Sequence, residues 1–139
     1  MAKTQIQTLR VNSIMPSLTV NDLSKSQQFF EALGFEVEEK WEDKGVLQGL
    51  MLKAGECRIG LSQDDGKKGN DRVKGVGMRL YIEADDDIDQ VAARAKAAGL
   101  TLGSEPADTE WGSRAFEVKE PSGFLITIGS PSKNAPSNK

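Results

Sequence analysis

The chain repeats itself. Asp22, Leu23, Ser26, Phe30, Leu33 and Gly34 recur 65 positions later as Asp87, Ile88, Val91, Ala95, Ala98 and Gly99, in the same order and at the same internal spacing. A repeat of this length constrains the fold more than any single element, because each copy must be one supersecondary unit able to pack beside its double. In both copies an acidic residue opens the segment, apolar positions follow at helical spacing, and a glycine closes it where a left-handed residue ends a helix. Two amphipathic helices are predicted.

Each helix is preceded by an alternating run that reads as a strand, Ile14 to Val20 and Met78 to Ala84. Here the copies match at an offset of 64, the extra residue falling in Asp85-Asp86-Asp87, an acidic helix start favoured by the helix dipole. Strand parity puts Ile14, Pro16, Leu18 and Val20 on one face and Met15, Ser17 and Thr19 on the other. In the second copy Met78, Leu80, Ile82 and Ala84 oppose Arg79, Tyr81 and Glu83. The apolar sets belong under the helices.

After the first helix, Phe35 to Trp41, Val46 to Lys53 and Cys57 to Gln63 form a predicted meander, separated by Asp43-Lys44-Gly45 and Ala54-Gly55-Glu56. After the second come a short strand near Thr101 to Leu102, then Ser113 to Lys119, then Phe124 to Ser130 beyond the turn Glu120-Pro121-Ser122-Gly123. The expected organisation is an extension over 1–13, modules over 14–63 and 76–130, a linker over 64–75 and a disordered tail over 131–139. The fold class is α+β: two tandem βαβββ modules whose free sheet faces form a cleft or half-barrel.

Composition narrows the partners. The 139 residues carry a net charge of -3 with both signs interspersed, so no basic face exists to neutralise phosphates, and nucleic acid is not expected. No apolar run approaches the roughly 20 residues that span a bilayer, and no basic amphipathic segment suits a membrane surface. The absence of an apolar leader and the single Cys57 point to the cytoplasm. Without a histidine beside it, Cys57 is expected to be a small buried residue rather than a nucleophile.

The segments Val20-Asn21-Asp22-Leu23-Ser24-Lys25-Ser26, Phe29-Phe30, Leu33-Gly34-Phe35, Thr109-Glu110-Trp111-Gly112-Ser113-Arg114 and Glu120-Pro121-Ser122-Gly123 together resemble the vicinal oxygen chelate superfamily. It comprises glyoxalase I, extradiol dioxygenases, fosfomycin-resistance enzymes and metal-free bleomycin-binding proteins. The resemblance spans Ile14 to Ser130 and implies the glyoxalase/bleomycin-resistance fold. In metal-dependent members it implies four ligands, one on the first and one on the last strand of each module. The corresponding residues here are Met15, Gly60, Arg79 and Thr127, and the chain contains no histidine. Divalent ions of this kind want imidazole, thiolate or carboxylate donors, so neither metal nor other cofactor is expected.

Arg79, Tyr81 and Glu83 are the leading candidates for ligand contacts, against the alternative of a solvated pair with a tyrosine capping the sheet. Trp111, beside Gly112, either stacks on a planar ligand or packs over a sheet edge. Arg114 has the fork for a bidentate grip on a carboxylate or phosphate, or is a surface arginine, and Phe116 shares its face. Met15, Ser17 and Thr127 complete the candidate set on the concave faces. Trp41 either rims the cleft or covers a strand end.

The leading expectation is a metal-free protein that sequesters a small, partly aromatic molecule, such as an antibiotic or planar metabolite. A metal-independent lyase or isomerase using Tyr81, Glu83 or Arg79 is the alternative, with a metal-dependent glyoxalase or dioxygenase third. The resemblance also implies a homodimer, and a flexible 64–75 would allow modules to be exchanged between chains.

Overall fold

The computed structural model describes residues 7–69 and 72–131. Strand β1 (Ser17–Val20), helix α1 (Leu23–Ala32) and strands β2 (Glu36–Asp43), β3 (Val46–Ala54) and β4 (Cys57–Gln63) form the first module. Strand β5 (Arg79–Glu83), helix α2 (Ile88–Ala97) and strands β6 (Leu102–Asp108), β7 (Ser113–Lys119) and β8 (Leu125–Pro131) form the second. Two four-stranded sheets result, ordered β1-β4-β3-β2 and β5-β8-β7-β6. The repeat is thus a repeat of topology. In each sheet the opening strand runs parallel to the closing one and the rest is antiparallel.

The helix ends are built alike. Asp22 accepts from the Lys25 amide at 3.1 Å, and Asp87 from the amides of Asp89 and Gln90 at 3.0 and 3.3 Å. Each cap satisfies amides that the first turn leaves unpaired, worth about 1 kcal/mol. At the other end Gly34 and Gly99 take φ of 105° and 102°. Phe35 N then donates to Phe30 O and Leu100 N to Ala95 O, both at 3.0 Å, and the last carbonyls are closed off.

One face of each sheet packs under its helix. Leu18, Val20, Leu50, Leu52, Ile59 and Leu61 meet Leu23, Phe29 and Phe30, while Phe116, Val118, Ile126 and Ile128 meet Ile88, Val91 and Ala95. Leu80, Ile82 and Ala84 lie against the same core. Two residues expected there do not. Ile14 is 87% exposed and Met78 is exposed, because the opening strands start later than the alternation suggests. Pro16 has no amide to extend the ladder; only its carbonyl serves, accepting from Gly60 N at 2.9 Å.

Three more expectations are corrected. The short strand near Thr101 is a seven-residue edge strand, β6, whose register slips twice against β7 around Gly103 and Pro106. Those irregularities erase the period-2 signal, and an edge strand tolerates a proline that a central one does not. Pro131, placed in the tail, closes β8 opposite Ser113; the rest of that tail, 132–139, lies outside the described residues. Cys57 is exposed, since it pairs with Ala54 at the mouth of a tight turn.

The segment 64–75 has no helix or strand among its described residues, yet its ends are pinned. Asp64 accepts from Gly66 N at 2.9 Å, Arg72 Nε at 3.2 Å and Lys74 Nζ at 2.8 Å. Buried Lys74 also donates to the Asn21 side chain. Gly75, at φ 77°, lies so close to Gly123 that an added Cβ would stand 2.8 Å from the Gly123 carbonyl oxygen. A polar joint holds the modules together beside it. Ser26 of α1 donates to the buried Glu120 carboxylate, Glu120 also accepts from Ser122 N at 2.6 Å, and Ser122 Oγ accepts from Asn21 N at 2.9 Å.

Candidate functional site

Residues opposite one another on neighbouring strands point the same way, so the register gives the composition of the free face. On the second sheet Tyr81 stands beside Thr127, and Thr127 beside Glu117; Glu83 stands beside Gly129, and Gly129 beside Ala115. Arg79 lies on the same face and donates to Glu117 at 2.6 Å. A cavity of about 390 Å³ opens here, walled by Arg79, Tyr81, Ala107, Trp111, Glu117 and Thr127 among others. That is the size of a small-ligand site.

Two aromatics shape it. The phenol of Tyr81 lies over Gly129, where an added Cβ would stand 2.6 Å from the phenol oxygen, and the ring is 48% exposed. Trp111 occupies the β6–β7 turn, which Thr109 and Ser113 clamp: Thr109 N donates to Ser113 O at 2.7 Å, and Ser113 N to Thr109 Oγ1 at 3.0 Å. Gly112, at φ 91°, turns the chain directly after it. The indole is 72% exposed and stands on the cavity wall, so it does not pack over a sheet edge.

The wall bears charge, and each of its carboxylates has a basic partner. Glu117 is met by Arg79, Glu105 by Lys96 at 2.7 Å and Asp108 by Arg114 at 3.2 Å. Such exposed pairs contribute little to stability, but they leave the wall with more carboxylate than guanidinium.

Of the residues expected from the sequence, Arg79, Tyr81, Trp111 and Thr127 come together. Phe116 joins the wall only from within the core: it is buried, opposite Ile128 on the helix side of the sheet. Arg114 does share its face with Phe116, but that face looks toward α2. There Nε and Nη2 of Arg114 donate to the two Asp89 oxygens, both at 2.9 Å. These bonds, with that of Asp108, raise its already high pKa further. Glu83 shares the Tyr81 face but lies past the cavity wall. Ser17 opens β1 beside Gly60 on the first sheet, and Met15, just before that strand, also lies near Gly60; neither lines the cavity. Trp41 lies across its ladder partner Gly49 and covers it.

Reading β7 by parity from buried Phe116 and Val118 would have found Ala115 and Glu117. The β6 contribution, Ser104 to Asp108, had no such signal.

The four positions to which the resemblance assigns metal ligands offer a thioether, no side chain, a guanidinium and a hydroxyl: Met15, Gly60, Arg79 and Thr127. Among the described residues no three of His, Cys, Asp and Glu are grouped to hold an ion. This donor set does not fit a divalent metal.

Topology and fold together define an α+β protein built of two βαβββ modules. The chain belongs to the Glyoxalase/Bleomycin resistance protein/Dioxygenase superfamily, whose model matches residues 10–128. Among solved structures it is similar to TnmS3, an antibiotic binding protein from Streptomyces sp. CB03234, with 22% identity and a TM-score of 0.68 over 90% of this chain and 100% of that one. It is also similar to a glyoxalase/bleomycin resistance protein/dioxygenase from Nocardioides (18% identity, TM-score 0.66, 96% of this chain and 93% of that one). A hypothetical protein of S. aureus aligns at 20% identity and a TM-score of 0.66, covering 86% and 94% respectively. Comparison with curated protein sequences yields no match. No described helix is long and apolar enough to cross a membrane.

Proposed function

We propose that this protein is a metal-free binding protein that sequesters a small planar molecule in the cavity on its second sheet. The observation that carries this reading is the pair of exposed aromatics, Tyr81 and Trp111, on one cavity wall. Leaving an indole largely in water forgoes the burial such a ring normally gains, and stacking on a ligand recovers it. The likeness in fold to an antibiotic binding protein supports the same reading. A lyase or isomerase would have to draw its acid or base from Tyr81, since Glu83 lies outside the wall and Glu117 is bonded to Arg79.

The protein works as a homodimer in this reading. The cavity wall comes from the second module alone, Arg79 to Thr127, while Ser17 and Met51 flank Gly60 on the first sheet, with Met15 nearby. A second copy, with or without exchange of modules, sets that sheet opposite the cavity. The cytoplasm suits the exposed, unpaired thiol of Cys57.

A thermal-shift screen of planar antibiotics and aromatic metabolites, with and without divalent ions, tests the proposal. The expected result is metal-independent stabilisation by compounds recovered chemically unchanged, with light scattering reporting two chains. One equivalent of nickel, zinc, iron or manganese in the purified protein, or turnover of a hit, overturns it.

A further inference from the structure

Among the described residues, one buried side-chain polar atom has no hydrogen-bond partner, and it belongs to a residue of the cavity wall: Oγ1 of Thr127. Thr127 lies on β8 between Tyr81 on β5 and Glu117 on β7, and is 8% exposed. Its two polar neighbours are turned elsewhere. The Tyr81 phenol lies over Gly129, and Glu117 takes the Arg79 guanidinium. A hydroxyl buried without a partner is a standing cost to the free protein, and native structures tolerate few of them. A valine of the same shape would avoid that cost.

We infer that Thr127 is the polar anchor of the cavity, the hydrogen-bond partner for an oxygen on the edge of a planar, uncharged ring held against Tyr81 and Trp111. This deepens the binding reading above and rests on it. The hydroxyl itself is covered, so the residual exposure of Thr127 lies on its other atoms. Rotation about χ1, which exchanges hydroxyl and methyl between staggered wells, is the step by which Oγ1 would meet a ligand. A threonine hydroxyl both donates and accepts, so a phenol or a ring carbonyl meets it equally well. The wall argues for an uncharged ring: Arg79, Glu105, Asp108 and Glu117 are each already paired with an opposite charge, so a charged ligand would have to compete for its counter-ion.

The test compares 2-naphthol with naphthalene, which lacks the oxygen, on the parent protein and on Thr127→Val, Thr127→Ser and Trp111→Ala. The parent is expected to prefer 2-naphthol by about fivefold, the ratio that one net hydrogen bond gives. Thr127→Val should bind both probes equally, Thr127→Ser should keep the preference, and Trp111→Ala should weaken both. Free Thr127→Val should melt no lower than the parent, since it loses only an unpaired hydroxyl. A preference that survives in Thr127→Val overturns the anchor while leaving the cavity as the binding site. A melting point several degrees lower shows a hydroxyl bonded within the fold and overturns it independently of any ligand. Failure of both probes to bind the parent overturns the anchor and the binding reading together.

Discussion

Tyr81 lies on Gly129: the phenol oxygen stands 2.6 Å from where a Cβ would be, and Ala115 Cβ is 3.2 Å from the same point. The glycine is therefore the seat of the ring. Gly129→Ala should lift the half-exposed phenol off this seat and, with Ala115 and the Arg114 carbonyl also crowded, cost about 1 kcal/mol. In a Tyr81→Ala background the same substitution should cost clearly less, which a double-mutant cycle of unfolding free energies measures.

The two tryptophans should separate function from stability. Trp111 is largely exposed, whereas Trp41 covers Gly49 on the first sheet. Trp111→Ala should leave the melting temperature within a degree or two of the parent while weakening a planar ligand by about 1 kcal/mol or more. Trp41→Ala should lower the melting temperature. Calorimetric titration beside thermal unfolding checks both.

Acid should loosen the segment after β4. Lys74, the Gly66 amide and Arg72 hold the Asp64 carboxyl at a pKa of about 2, below its ordinary 3.8. A depressed carboxylate contributes stability that is fully present above the ordinary value and is lost as pH falls through the folded one. Melting temperature should therefore fall more steeply between about pH 4 and pH 2 in the parent than in Asp64→Asn, which has no such carboxylate to protonate.

The joint between modules should be sensitive to truncation. Glu120→Ala leaves buried Ser26 without an acceptor and frees the turn that Ser122 closes, at a cost of about 1–3 kcal/mol. Ser26→Ala, which removes the donor from an acceptor that keeps the Ser122 amide, should cost less. Denaturant unfolding of the two variants orders them.

The sequence by itself determined whatever depends on near neighbours. Asp22 and Asp87 had to cap helices and Gly34 and Gly99 to end them, because capping and left-handed backbone are satisfied within a few residues. Tyr81 had to face away from Leu80 and Ile82, because a strand alternates. The repeat of those local patterns defined two βαβββ modules, and the missing histidine argued against a metal. Only the tertiary structure decided what lies between distant segments. Arg114, open to a ligand by composition, is spent on Asp89 of a helix 25 residues away. The Ser26–Glu120 joint links residues 94 apart, and β6 exists because β7 holds it through two slips of register. It also assigned the cavity to the second module alone, parting Met15 and Ser17 from Tyr81. Hydrogen bonds between distant residues leave no period in the sequence: their partners are chosen by which surfaces the folded chain brings within about 3 Å, and no local pattern encodes that choice.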